Sequence, residues 1–357
     1  MQELFYLNKK QLSIPKAKIF YNICMRSKKN VETIKLEEGR TLEATFDNYV
    51  EMAASAVDWT LFCTYQLKPD FSEGSYKILQ LPSMQIASTD MLGGVMFDYV
   101  APEGCITLSI MSHISSKACI DQMKLESGMI AVVDDRKVYN FICSGRVKLI
   151  DISLNENADP LLRERLESAV DRYYMDESGS ITRMVEEILD RYAEHEELDA
   201  ESYGKIEKRI SEEILSLTGR QEAQTPRFTG SEKIALKIKE KLFRHMDGKM
   251  TTASLAEEYG LSCKSLQNAF KSLFDLNPRQ FVRLLKLNLV HHELSRSDPS
   301  QINISRVAQK WGFEHQGRFA KYYAELFGEN PSATLRRVDP MTGGMQTHCV
   351  ERQEEME

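Results

Sequence analysis

The segment LAEEYGLSCKSLQNAFKSLFDLNP, residues 255–278, is answered further along the chain by VAQKWGFEHQGRFAKYYAELFGENP, residues 307–331. In the first, Ala256, Gly260, Leu266, Phe270, Phe274 and Pro278 mark a series that Ala308, Gly312, Phe319, Tyr323, Phe327 and Pro331 repeat in the second, whose turn is longer. Apolar residues at every fourth position turn one helix face toward a core, and a glycine followed by a capping residue joins two helices steeply. The spacing predicts a helix-turn-helix unit with a short helix near Ala253–Tyr259, the turn Gly260–Leu261, Ser262 as N-cap and a second helix to Phe274. The second copy predicts one helix over about Ile304–Trp311 and a second that starts after His315 and ends near Gly328, the glycine serving as C-terminal stop. Between them Gln280–Leu294 carries Phe281, Leu284, Leu285, Leu287, Val290 and Leu294, the pattern of a buried connecting helix.

Leu255–Ala256, Gly260, Ser262, Leu266, Phe270–Lys271, Pro278, Lys286–Leu287, Ala308, Gly312–Phe313, Phe319, Lys321, Phe327–Gly328, Pro331–Ser332 and Arg336 together resemble the DNA-binding domain of AraC/XylS-type transcription regulators. Gly317–Ala320 and Phe327–Arg337 are similar to the branch that holds benzoate-responsive and ethanolamine-responsive activators. The chain departs from the family at Asp275, where glycine is usual, at Lys286 (arginine), at Glu293 (leucine) and at His315 (a serine cap). Asp275 stands where the first reading helix ends and a left-handed residue is expected, so Asp275→Gly is expected to be neutral or mildly stabilising. The resemblance implies double-stranded DNA as ligand, RNA polymerase as partner, a homodimer, and a cupin-like barrel ahead of the helices that responds to a small-molecule effector.

On the first reading helix Leu266, Ala269 and Phe270 face the core, leaving Cys263, Lys264, Gln267, Asn268 and Lys271 outward. On the second, Phe319, Tyr322 or Tyr323 and Leu326 pack inward, leaving Gln316, Gly317, Arg318, Ala320 and Lys321. Lysine and arginine reach guanine acceptors, and the amides pair two-fold with adenine. The resemblance places base contacts at Lys264, Gln267, Asn268, Gln316, Gly317, Ala320 and Lys321, and Arg318 joins them by its outward position. Lys271, Arg279, Arg283 and Arg336 are candidates for phosphate, which positions the protein without specifying sequence.

Charge divides the same way. The 357 residues carry a net charge of -7, yet Thr225–Arg337 holds 19 Lys and Arg against 11 Asp and Glu, a segment at +8, which leaves -15 elsewhere. A basic end on an acidic chain is the footprint of one domain that meets phosphate and one that does not. Seven cysteines are scattered without a CxxC pair or metal spacing, which fits a reducing cytoplasm. The sequence shows neither a signal peptide nor an apolar run of the ~20 residues that span a bilayer, so no membrane role is expected.

Ahead of the basic end, Lys18–Cys24 reads as a strand and Thr45–Leu67 as a helix closed by Pro69. From Ser75 to Leu154 the period becomes two, in short segments such as Tyr76–Leu81, Val95–Val100, Met129–Val133 and Val147–Ile152, the pattern of a β-sandwich or barrel. Cupin barrels often hold a metal through several histidines. His113 is the sole histidine before His195, so neither metal nor cofactor nor catalytic residue is expected, and His113 reads as a surface or capping residue.

Asp159–Pro160 opens a predicted helix to Tyr174, Ser180 or Thr182 caps a second, a third covers Tyr203–Leu217, and Ser231 caps the helix Ile234–Met246. The expected organisation is an α+β chain. A sensor and dimerisation domain covers 1–220, with a barrel over about 75–154 and helices over about 155–219. A linker at 221–230, a double helix-turn-helix DNA-binding domain at 231–337 and a disordered tail at 338–357 follow. The expected function is sequence-specific transcription regulation in the cytoplasm, as an activator answering a small effector. The alternative is control of the amino-terminal half by a protein partner.

Overall fold

The computed structural model describes residues 38–336, apart from 47–48, 50–51, 53–57, 70–72, 122, 193–199, 220–221, 224–227 and 245–250. The expected strand at Lys18–Cys24, half of the expected linker and the expected disordered tail at 338–357 lie outside the described residues. The chain is α+β: a cupin-like barrel of two antiparallel sheets with flanking helices, then an all-α region of two helix-turn-helix units on one linking helix.

The strands are β1 (Thr41–Phe46), β2 (Thr60–Gln66), β3 (Glu73–Gln80), β4 (Met84–Leu92), β5 (Val95–Val100), β6 (Ile106–Ile114), β7 (Ala118–Ile120), β8 (Met123–Leu125), β9 (Met129–Asp134), β10 (Tyr139–Cys143), β11 (Val147–Leu154) and β12 (Tyr173–Met175). One sheet runs β1-β3-β4-β11-β6-β9-β12 and the other β2-β5-β10-β7-β8. Alternation sends the side chains of each strand to two different cores. On β11, Ile150, Ile152 and Leu154 face outward against helices, whereas Leu149 and Asp151 face the space between the sheets.

The helices that cover the seven-stranded sheet are α1 (Pro160–Glu167), α2 (Ser180–Tyr192) and α3 (Ala200–Thr218). Leu162, Leu166, Ile181, Val185, Ile188, Ile210 and Ile214 pack on the outer face of β4, β6 and β11. Asp159 caps α1, accepting from the Leu162 amide at 3.0 Å. The next elements are α4 (Gly230–Arg244), α5 (Thr252–Glu258), α6 (Cys263–Phe274), α7 (Pro278–Leu294), α8 (Ile304–Lys310), α9 (Gln316–Phe327) and α10 (Pro331–Arg336).

Several expectations need correction. The helix expected over Thr45–Leu67 is interrupted: Tyr49 and Met52 are helical, but Thr45 and Phe46 end β1 and Thr60–Gln66 is β2. Asp58, held at φ 62, makes the reversal between them. The barrel therefore starts at Thr41 rather than near residue 75. The helix expected to reach Tyr174 stops at Glu167, because Asp171 turns left-handed at φ 65 and Tyr173–Met175 pairs with β9. Neither Ser180 nor Thr182 caps α2; the Asp176 carboxylate accepts from the Ser180 amide at 2.9 Å and from the Thr182 amide at 3.2 Å. Thr229 rather than Ser231 caps α4, with Glu232 returning the bond to the Thr229 amide at 2.8 Å.

Candidate nucleic-acid interface and barrel cavity

The first helix-turn-helix unit is built from local signals. Thr251 and Ser254 form a capping box that starts α5, Gly260 turns left-handed at φ 64, and Ser262 caps α6 through the Ser265 amide at 3.0 Å. Leu266, Ala269, Phe270, Leu273 and Phe274 are buried, so Cys263, Lys264, Gln267, Asn268 and Lys271 stand exposed on the opposite face. In the second unit Asn303 caps α8, Gly312 turns at φ 84, and α9 buries Phe319, Tyr323 and Leu326. Gly317, Arg318 and Lys321 are exposed and Ala320 is half-buried. Gln316 departs from its expected outward position: it is half-buried, and its Nε2 is enclosed without a partner. His315, in the cap position of α9, makes no capping bond.

The candidate phosphate residues differ among themselves. Arg279 and Arg336 are exposed, whereas Arg283 lies over the Tyr322 ring at 4.2 Å and so ties α7 to α9. The Lys271 ammonium is 2.7 Å from an Asp275 carboxylate oxygen. Asp275 sits at φ 57 and ends α6, as expected, but its carboxylate also receives Lys68 of the barrel region at 2.9 Å. The hydrogen bonds from Lys271 and Lys68 hold its carboxyl down at about 2. Glu293, where the resemblance leads one to expect leucine, accepts from the Trp311 indole at 2.8 Å and from Lys310 at 2.7 Å, joining α7 to α8.

The helix α7 does more than connect. Its capping box at Asn277–Gln280 starts it, and Phe281 packs against Phe274 with ring centroids 4.5 Å apart. Farther along, fully buried Asn288 accepts from the Gln66 amide and donates to the Gln66 carbonyl, each at 2.8 Å. His292 Nε2 donates to the Thr64 carbonyl at 2.7 Å. Because β2 is the edge of its sheet, these side chains supply the partners that a further strand would have given. Gln66 Nε2 donates to the Leu326 carbonyl of α9 at 2.7 Å, and the Tyr49 hydroxyl lies 3.1 Å from His291 Nδ1. Enclosure pushes His292 down to about 4.

Tyr65, Leu67, Met96, Cys119 and Ile142 on the outer face of the five-stranded sheet share one apolar core with Leu236, Leu242, Phe270 and Phe274. Lys124 meets Glu232 at 3.0 Å, and Lys239 donates to the Asn140 side chain at 2.6 Å. None of these contacts belongs to the expected site residues. The only sequence signals for them were the amide and imidazoles of Asn288, His291 and His292 in an otherwise apolar helix.

Between the two sheets lies a cavity of ≈ 70 Å³. Trp59, Tyr76, Phe97, Tyr99 and Phe141 contribute rings to its wall, Met52, Met91 and Met111 thioethers, and Gln85, Thr89, Ser109 and Asp151 the polar groups. Among the described residues no group of three His, Cys, Asp or Glu side chains is placed to hold a metal ion. His113 is exposed on β6. No described helix is long and apolar enough to cross a membrane.

Residues 255–337 match the family described as helix-turn-helix domain. This segment is a helix-turn-helix domain. The chain is 35% identical over 94 residues to the probable thc operon regulatory protein of Rhodococcus erythropolis, covering 26% of this chain and 28% of that protein. It is 34% identical over 106 residues to the XylDLEGF operon transcriptional activator 1 of Pseudomonas putida, covering 30% and 31%. The chain thus matches less than a third of the length of either relative. Among solved structures, the AraC-like transcriptional activator CuxR aligns with 83% of this chain and 99% of its own, at 12% identity and a TM-score of 0.41.

Proposed function

We propose that this chain is a cytoplasmic transcription regulator that reads duplex DNA through α6 and α9 and acts as an activator under the control of a small effector. The observation that carries the reading is the pair of helices presenting Lys264, Gln267 and Asn268 on one and Gly317, Arg318 and Lys321 on the other, both seated on α7. Amides and cations on an exposed helix face do no packing work but suit base edges in the major groove. Gln316 joins them once its amide turns outward, and Gly317 and Ala320 let the backbone approach. Lys271, Arg279, Arg283 and Arg336 supply the phosphate contacts. The sensor and dimerisation part is assigned to 1–220 and the DNA-binding part to 231–337. A homodimer is assigned to the helical side of the barrel, where Leu161 on α1 is 73% exposed and Leu215 on α3 is 41% exposed. RNA polymerase is the partner of a DNA-bound activator.

The aromatic-lined cavity favours a small effector over control by a docked protein. Its wall includes Met52, Trp59 and Leu61, which lie along the chain between Tyr49 on one side and Thr64 and Gln66 on the other, the residues that hold α7. Filling the cavity moves the same stretch that fixes the helix between the two readers.

Binding to matched specific and scrambled duplexes tests the reading. Asn268→Ala or Gln267→Ala is expected to cost roughly 1–3 kcal/mol on the specific site and nothing on the scrambled one. Lys271→Ala is expected to weaken both alike and to lower the salt slope by about 1. Equal loss on both duplexes from the amide substitutions, or none on either, removes α6 as the reader.

A further inference from the structure

Asp151 is an acid placed among rings, and none of the described residues around the cavity is a base that could answer it. It lies on the inward face of β11, opposite Ser109 of β6, whose hydroxyl donates to its carboxylate at 2.6 Å. No Lys, Arg or His is among the described residues that line the cavity. A carboxylate has about four lone-pair sites, and a single hydroxyl fills one. Burial pushes the Asp151 carboxyl up to about 6, with the Ser109 bond as the opposing pull. The second polar group is Gln85 on β4, 5% exposed, whose Nε2 donates to Asp58 and Gln80 while its Oε1 is enclosed with no hydrogen-bond partner. The cavity therefore offers a charged acceptor and a neutral acceptor, and rings around both.

We propose that this cavity binds a small organic cation, a protonated amine on a short apolar body, with Asp151 as its counter-ion and Gln85 Oε1 as a second acceptor. This rests on the reading of the barrel as the sensor. An ammonium brings three donors, which matches two acceptors on neighbouring strands. The faces of Trp59, Tyr99 and the other rings attract a cation through their quadrupoles. An anionic effector meets the opposite: a buried carboxylate and, among the described lining residues, no cation. The volume of ≈ 70 Å³ is about half that of the ~150 Å³ apolar cavity that accepts benzene, so the occupant has only a few non-hydrogen atoms unless the methionines move.

The probes are n-propylamine, 1-propanol and propionate, three molecules of nearly equal size that differ in charge, each added at millimolar concentration to the full chain at constant ionic strength. Propylamine is expected to raise the melting temperature, with propanol at least tenfold weaker in apparent affinity and propionate without effect. Asp151→Asn is expected to abolish the shift by propylamine while leaving a single cooperative melt. Gln85→Leu, which keeps the carboxylate, is expected to weaken propylamine several-fold and serves if the Asp151 variant does not fold. Equal binding of propanol, any binding of propionate, no binding of propylamine, or a propylamine shift that survives Asp151→Asn overturns the cationic class. Binding of propanol or propionate in place of the amine would still leave a small-molecule sensor standing. The duplex experiment on α6 is independent of all these outcomes.

Discussion

Replacing Asn288 by leucine should loosen the helix-turn-helix domain from the barrel without harming either. The carboxamide of Asn288 answers both the amide and the carbonyl of Gln66 and donates to the Leu284 carbonyl, all at 2.8 Å. Leucine has a similar volume and a better helix propensity, so α7 itself loses only one side-chain bond to its own backbone. The edge strand loses two partners at a site with no exposure. A buried backbone group left unpaired costs about 1–3 kcal/mol, so two cost about 2–6 kcal/mol for as long as water is kept out. Separation of the two surfaces relieves that cost. The population of the open form should therefore rise by roughly 30-fold or more, since each 1.4 kcal/mol is a factor of ten.

Hydrogen exchange reads this directly. In the native chain the Gln66 amide is protected by Asn288, and in Asn288→Leu its exchange should accelerate by at least that factor. Amides in the β4–β11 ladder should keep their protection, since no bond there depends on α7. Asn268→Ala, on the outer face of α6, is the control and should leave Gln66 unchanged. Unchanged Gln66 exchange in Asn288→Leu, or an equal loss of protection across β4 and β11, would refute the edge-capping account.

Two further outcomes concern the same surface. His292 is held near 4 by enclosure, against an ordinary value of 6.5, so the closed arrangement binds fewer protons than the open one and its stability falls as pH drops below 6.5. The full effect, about 3 kcal/mol, is reached only below pH 4, and Gln66 exchange corrected for intrinsic rate should accelerate across that window in the native chain and less in His292→Gln. Asp275→Gly should remove about 1 kcal/mol of left-handed strain yet also the anchors for Lys68 and Lys271, so the melting temperature of the full chain should fall or stay level while that of a Lys68→Ala background rises on the same change. A rise of similar size in both backgrounds would show that Lys68 contributes nothing.

The parts of the fold legible in the sequence are those whose causes are local. Ser262, Asn277, Gly260, Gly312 and Gly328 each fix a helix end or a turn within four residues of themselves, and both helix-turn-helix units follow from them. The outward faces of α6 and α9 follow from the same periodicity, Gln316 and Ala320 excepted, both of which are half-buried. Illegibility begins where a partner far along the chain decides. The apolar spacing of Phe46 through Tyr65 fits a helix, but Asp58 breaks it and β5 takes Thr60–Gln66 as a strand. β4 contains Gln85, Ser88, Thr89 and Asp90, a polar run that reads as a loop until β3 and β11 pair with it on both sides. Asn288 looks like a weak residue in a buried helix, because nothing local shows that its partner is Gln66.

The departures from the family pattern gain a physical meaning from these long-range contacts. Glycine is the easy residue at the end of a reading helix, and aspartate there bears strain; in this chain the strained residue receives Lys68 and fastens the first unit to the barrel. Leucine at residue 293 would bury apolar surface only, whereas Glu293 fastens the second unit to α7 through Trp311 and Lys310. Asn288, His291 and His292 then tie α7 to the stretch from Tyr49 to Gln66, which also walls the cavity. Under the proposed function, a displacement that begins at Met52, Trp59 or Leu61 would reach α6 and α9 through α7, on which both units are seated. No continuous wire is needed for this, because α7 is shared by both units. On this geometry an effector would change the spacing or tilt of α6 and α9 relative to the barrel, not the fold of either unit. Its effect on DNA binding should accordingly vanish when Asn288→Leu has opened the contact, even though the ligand still enters the cavity.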